Sequence, residues 1–175
     1  MSTLKPTIGV IGANETTPHQ QNLALELGEH IAARGAVLVC GGNGGIMEAA
    51  SKGANHKGGT VIGILPGIEK TDANPYVTIA IPTGLDIARN ALVVHASDVI
   101  IAFPGGYGTL SEIAIALALK KTVIIMPGAW DLRKLAEVDT RFFKEASDPR
   151  QAIGLALTAI TSRSDSEEEK GQLPF

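Results

Sequence analysis

Six short apolar runs, rich in β-branched residues, are separated along the chain by longer stretches of helical patterning: Thr7 to Ile11, Ala36 to Cys40, Thr60 to Leu65, Tyr76 to Ile81, Asp98 to Phe103 and Thr122 to Met126. That alternation predicts a parallel sheet covered by helices. The runs are apolar throughout and do not alternate with polar residues, as strands buried on both faces require. A one-sided antiparallel sheet is therefore disfavoured. A further short strand is expected around Arg141 to Lys144, so the sheet should have six or seven strands, mostly parallel.

Helices are expected at about 17 to 34, 44 to 57, 84 to 96, 109 to 120 and 149 to 162. Thr17-Pro18-His19-Gln20, Thr83 with Asp86, Thr109 with Glu112, and Asp148-Pro149-Arg150-Gln151 each resemble a helix start. A side-chain oxygen caps the first turn, and proline at the first helical position or an acidic or amide residue three positions on completes the pattern. A chain of 175 residues, 45% hydrophobic, can bury one good core but not comfortably two. Residues 1–162 should form one domain, and the polar stretch 163–175 has too little apolar surface to fold and should be a disordered tail.

Three successive strand ends are rich in glycine: Gly12-Ala13-Asn14, then Gly41-Gly42-Asn43-Gly44-Gly45, then Pro104-Gly105-Gly106-Tyr107-Gly108-Thr109. In parallel α/β sheets the ligand crevice lies outside the carboxyl ends of the strands, so all three loops should face it. Glycine lets the backbone approach a ligand closely, and the N–H groups and dipole of the helix that follows favour an anion. The expected fold is thus a Rossmann-like three-layer α/β sandwich with a site for a phosphorylated small molecule. The ordinary signatures are missing. Gly42-Asn43-Gly44-Gly45-Ile46-Met47 lacks the third glycine of the dinucleotide fingerprint, and Gly53 to Thr60 has Gly59 where a P-loop needs lysine.

Two polar residues on apolar stretches call for partners. Arg89 should meet a carboxylate or a phosphate, because an unpaired buried guanidinium is costly, a structural ion pair with Glu112 or Asp86 being the alternative to a ligand, and the adjacent Asn90 can donate and accept hydrogen bonds at the same rim. Glu112 fits a capping box with Thr109 and, without excluding it, a place beside the phosphate loop where it would accept a proton or hold a ribose hydroxyl. Cys40 reads as a small buried hydrophobe. His19, His30, His56 and His95 lack metal-ligand spacing, so no catalytic metal is expected. The loop from Pro66 to Pro75 either covers the crevice or is plain surface.

Leu110 to Leu119 and Leu85 to Ala96 are apolar almost all round, and such helices must be covered on more than one side. A second copy of the chain is the favoured cover, burial under the C-terminal helix the alternative. A net charge of −3 offers no basic stripe for nucleic acid. No run of some twenty apolar residues suits a membrane span and no signal peptide opens the chain, so a cytoplasmic protein is expected.

Gly41-Gly42-Asn43-Gly44-Gly45-Ile46-Met47-Glu48-Ala49-Ala50, Thr83-Gly84-Leu85-Asp86-Ile87-Ala88-Arg89-Asn90 and Pro104-Gly105-Gly106-Tyr107-Gly108-Thr109-Leu110-Ser111-Glu112 together resemble one superfamily. It contains the Lonely Guy cytokinin-activating phosphoribohydrolases and the molybdenum cofactor carrier proteins, and the resemblance spans about residues 6 to 162. It implies a Rossmann-like sheet in homodimers or homotetramers. In the hydrolases the last motif binds the nucleotide phosphate, and its glutamate works with an upstream arginine on the N-glycosidic bond. Those roles fall on Glu112 and Arg89. The hydrolases usually carry His-Glu-Arg-Lys where this chain has Ile87-Ala88-Arg89-Asn90, and the short Thr-Gly-Leu-x-x-Ala-Arg-Asn form looks more like the carriers. The resemblance therefore implies a carrier of molybdenum cofactor (molybdopterin) or a similar phosphorylated ligand. The alternative is an enzyme that cleaves nucleoside 5′-monophosphates to base and ribose 5-phosphate.

Overall fold

The computed structural model describes residues 4–130, 132 and 139–170, with side chains to residue 163. Seven strands form one sheet: β1 (Thr7–Ile11), β2 (Val37–Cys40), β3 (Val61–Leu65), β4 (Ile79–Pro82), β5 (Val99–Ala102), β6 (Val123–Ile125) and β7 (Phe143–Glu145). Their order is β4-β3-β2-β1-β5-β6-β7, and every pairing is parallel. The chain winds outward from β1 in one direction and then restarts at β5 on its other side, with Ile8 opposite Leu38 on β2 and Val99 on β5. The crevice of such a sheet opens where the winding reverses, between the ends of β1 and β5.

Helices α1 (Pro18–Ala33), α2 (Ile46–His56) and α5 (Pro149–Lys170) cover one face, while α3 (Asn90–His95) and α4 (Tyr107–Ala118) cover the other. Each face has its own core. Leu27, Ile31, Ala50 and Ala152 join Ile8, Val10, Leu38 and Phe103 on the first, and Val93, Val94, Ile113 and Ala116 join Ile11, Val39 and Ile100 on the second. The five strands β1, β2, β3, β5 and β6 are nearly all buried, as their unbroken apolar runs require. Edge strand β4 does alternate, with Ile79 and Ile81 exposed.

Four local expectations change. The helix expected over 84–96 is instead a 3-10 turn, Asp86–Arg89, followed by the short α3. Asp86 has a left-handed φ of 48°, and Thr83 Oγ1 donates to Leu65 O and accepts from Leu85 N instead of capping a helix. Arg89 consequently lies in the turn and not on an apolar helical stripe. Second, α4 begins at Tyr107 with Gly106 as its cap residue, so Thr109 is inside the first turn and makes no capping box with Glu112. Third, α5 runs on to Lys170, past the expected end at 162 and into the stretch expected as a disordered tail. Glu and Lys, which fill 167–170, are good helix formers and extend a helix already anchored by its first turns. Residues 171–175 of the expected tail lie outside the described residues.

The fourth concerns α5's position. It packs on α1 on the opposite face of the sheet, so it does not cover α3 and α4, and Leu85, Ile87 and Leu92 stay exposed.

Candidate functional site

Hydrogen bonds tie the three glycine loops into one floor. Ala13 N donates to Pro104 O at 3.0 Å, and Ile46 N donates to Ala13 O at 3.0 Å. Gly45 takes a φ of 61° there, and a Cβ would collide with Ala13 O, so only glycine lets α2 start so close to the β1 loop. The buried Asn74 braces the second loop, its Nδ2 donating to Gly42 O at 3.2 Å and Asn43 O at 3.0 Å. That is the part of the 66–75 loop that reaches the glycines.

The helix starts differ in a way that sorts them by task. Thr17 Oγ1 accepts from Gln20 N at the start of α1, and Asp148 Oδ1 accepts from Gln151 N at the start of α5. Glycine residues cap α2 and α4, at Gly45 and Gly106, and neither helix start has a side-chain cap among the described residues. At α2 the N–H of Ile46, the first of the turn, is already taken by Ala13 O, whereas first-turn N–H groups without an acceptor carry the positive end of the helix dipole and can take an anion.

A cavity of about 270 Å³ opens at the start of α4, lined by Gly12, Ala13, Asn14, Asn43, Met47, Arg89, Asn90, Gly106, Gly108, Thr109 and Glu112. Gly12, Asn14, Asn43, Arg89, Asn90, Gly106, Gly108, Thr109 and Glu112 are expected site residues that the fold brings together. The other expected residues stand behind or beside it. Gly41 backs the Arg89 guanidinium, where a Cβ would run into Nη1. Gly42 is held by Asn74, Gly44 and Gly45 lead into α2, and Pro104 and Gly105 form the floor below Thr109. Tyr107 is exposed outside the cavity. A larger cleft of about 660 Å³ lies at the opposite ends of the strands, between α5 and the starts of β6 and β7, with no glycine and no helix start in its lining.

Arg89 and Glu112 are 8% and 6% exposed, with Nη1 and Oε1 3.6 Å apart. That distance permits an ion pair but is long for a hydrogen bond. Arg89 Nε is buried and finds no hydrogen-bond partner among the described residues. Burial pushes the Glu112 carboxyl up to about 7, and the Arg89 charge opposes the shift without cancelling it. The pair is therefore under-satisfied on both sides: a guanidinium with spare donors and a carboxyl that takes up a proton near neutrality. Asn90 is engaged by contrast, its Nδ2 donating to Ser111 Oγ at 2.9 Å and Gly108 O at 3.3 Å.

Cys40 is buried, and burial raises its thiol pKa, so it behaves as a small hydrophobe. Among the described residues no three His, Cys, Asp or Glu side chains gather to hold a metal, and no helix is long and apolar enough to cross a membrane. Sequence reasoning left Ala13 and Met47 out of the site and placed Asn74 only within a loop that could cover the crevice, and it missed Trp130, whose Nε1 donates to Gly105 O at 2.9 Å. The signal for Trp130 was present as the chain's one tryptophan, close behind a Pro-Gly turn.

The SLOG cluster4 family model matches residues 5–158. Among solved structures, the molybdenum cofactor binding protein of Rippkaea orientalis superposes with a TM-score of 0.84 at 43% identity, over 91% of this chain and 99% of that one. The molybdenum cofactor carrier protein of Chlamydomonas reinhardtii gives 0.83 at 36% identity, over 90% and 99%. A probable cytokinin riboside 5′-monophosphate phosphoribohydrolase of Oryza sativa subsp. japonica is 35% identical over 101 residues, which is 56% of this chain and 44% of that one. The chain thus spans less than half the length of that hydrolase.

Proposed function

The chain belongs to the SLOG cluster4 family, and from that premise we propose that it binds and carries molybdenum cofactor or a similar phosphorylated small molecule, held by its phosphate at the start of α4. One observation carries the reading: the uncapped start of α4 opens onto the same cavity as Arg89, whose buried Nε lacks a partner among the described residues. A phosphate there meets unpaired N–H groups and a guanidinium that needs acceptors. The similar structures from Rippkaea and Chlamydomonas are described as molybdenum cofactor proteins and align over nearly their whole length. Asn90 supports a carrier over a hydrolase, since the position where the hydrolase pattern has lysine is here a neutral brace between α3 and α4. The metal travels with the ligand, and the protein contributes no catalytic metal.

One observation favours the hydrolase as a second reading. A carboxyl brought to about 7 beside a phosphate loop suits proton transfer at neutral pH, as cleavage of an N-glycosidic bond needs. Incubation with AMP and with molybdenum cofactor separates the two. The carrier reading expects retained cofactor protected from oxidation and no ribose 5-phosphate from AMP. Adenine release at about one turnover per second, lost in Glu112→Gln, would install the hydrolase instead. The phosphate placement is checked by Gly106→Val. A Cβ at Gly106 would have nothing within 4 Å, so the valine fits the fold and intrudes on the ligand, weakening phosphorylated ligands about ten- to a hundredfold and their dephosphorylated analogues little.

We further propose that the carrier is a cytoplasmic homodimer or homotetramer, with neither nucleic acid nor membrane as partner, assembled through the α3 and α4 face. Ile87 is 63% exposed, and Leu85 and Leu92 lie exposed nearby. Ala116, though on an apolar helix, is buried in the protomer's own core and is not part of that surface. Ile87→Glu should shift the assembly toward monomer in light scattering, since a charge at an apolar interface is strongly penalised. A monomeric parent protein at micromolar concentration would defeat the interface.

A further inference from the structure

The cavity of about 270 Å³ falls just below the usual size of ligand sites, which run from roughly 300 to 1,000 Å³. A nucleotide-sized or pterin-sized ligand with its phosphate at α4 must leave its ring on the rim. Two aromatic side chains stand beside the glycine loop there. Tyr107 is the first residue of α4 and 83% exposed. Trp130, on the loop after β6, is 37% exposed, and its indole is fastened by its polar edge to the Gly105 carbonyl, one residue from Gly106 in the cavity wall.

The loop that carries Trp130 is itself anchored. Gln20 Nε2 donates to Pro127 O at 3.1 Å, Ala129 N closes a turn on Met126 O at 3.1 Å, and Gly128, at φ 85°, lies against Pro104. A tryptophan needed only to fill space would hide its ring in the core. Here the N–H is satisfied by Gly105 O, and the residue stays partly exposed one residue along the loop from Gly106, which lines the cavity. An indole held this way loses little conformational freedom when a flat ring stacks on it.

We propose that Trp130 is a specificity-determining residue that stacks on the planar heterocycle of the ligand, with Tyr107 as the second aromatic wall, while α4 and Arg89 hold the phosphate. The inference rests on the phosphate site proposed above. It assigns the ligand class as a flat, nitrogen-containing ring system joined to a phosphate through a short linker, and it gives the glycine loop two functions: its N–H side faces the anion, and one of its carbonyls aims the indole.

The test uses the intact protein with AMP, ribose 5-phosphate and inorganic phosphate, read by calorimetry and by the emission of the single tryptophan. AMP should change Trp130 emission saturably, and ribose 5-phosphate should bind without doing so. Trp130→Leu should weaken AMP about tenfold and leave ribose 5-phosphate within twofold, whereas Trp130→Phe, which keeps a ring but not the N–H, should recover most of the loss. Equal weakening of AMP and ribose 5-phosphate in Trp130→Leu would make Trp130 a mere fastening of the loop and overturn the proposal, as would no weakening of either. If none of the three ligands binds the unaltered protein, the phosphate site fails and the stacking inference falls with it.

Discussion

Two buried cations sit at opposite poles of this sheet, and they are buried on different terms. Lys121, 8% exposed, follows α4 and reaches across to α3, where Nζ donates to Val94 O at 2.7 Å, His95 O at 3.1 Å and Ser97 O. All three ammonium protons are used, and the charge sits against the negative end of a helix. Arg89 is equally buried, yet it has one carboxylate at 3.6 Å and a partnerless Nε among the described residues. Burial lowers the Lys121 pKa, and its carbonyl cage compensates within the fold. In the proposed function the donors of Arg89 serve the ligand phosphate instead. The completed cage is accounted for by the fold, whereas the incomplete one at the crevice calls for an explanation, which the proposed phosphate site supplies.

That contrast breaks most sharply at Lys121. Lys121→Met should cost about 3 kcal/mol of stability, since it strands buried carbonyls, and lower the melting temperature by roughly 6–12 °C, with ligand affinity unchanged. If calorimetric melting shows no loss, the cage is ornamental. Arg89→Ala should behave in reverse, weakening phosphorylated ligands by about 2 kcal/mol while the melting temperature moves much less. A stability loss as large as that of Lys121→Met, with binding intact, would make Arg89 a structural ion pair.

Acid titration sharpens the same comparison. The folded pKa of Glu112, about 7, lies above its ordinary value of 4.5, so the folded state binds the extra proton between these values. Stability relative to Glu112→Gln should therefore be greatest below about pH 4.5, fall as the pH rises toward 7, and level off above. Denaturant melts of the two proteins that stay parallel from pH 4.5 to 8 would mean that Glu112 ionises as an ordinary surface carboxylate. The smallest effect is expected from Asn90→Ala, about 1 kcal/mol for its lost hydrogen bonds. Its readout is the binding of ligand, which should persist, because Asn90 braces α4 and the proposed site assigns the anion to Arg89.

The strands are legible in the sequence because unbroken apolar runs have one good explanation in a short chain, and β1 appears over the residues expected. Glycine loops at three strand ends are equally legible, since the crevice position follows from parallel winding alone. The stretch 84–96 misleads because its pattern is apolar and its cap sequence plausible, while the left-handed turn at Asp86 depends on Thr83 reaching back to β3. Glu112 is ambiguous between cap and site for a similar reason: Thr109 and Glu112 have the right spacing for a capping box, and only the start of α4 two residues earlier removes it. Trp130 and Asn74 act through bonds to distant glycine loops, which no local pattern records.

What the sequence determined by itself was therefore the elements other than the 84–96 stretch, their parallel pairing, and the glycine residues that bring helix starts to one edge. These follow from periodicity and backbone sterics, which act over a few neighbouring residues. Tertiary structure alone decided that, of the two carboxylates the sequence offered, Arg89 faces Glu112 and not Asp86, that Lys121 cages itself on α3, and that α5 lies over α1 and leaves the α3 face open. Each of those depends on strand order and on which face a helix crosses, and burial then sets the energy of every charge so placed, because a buried ion is governed by the partners that packing happens to bring within reach.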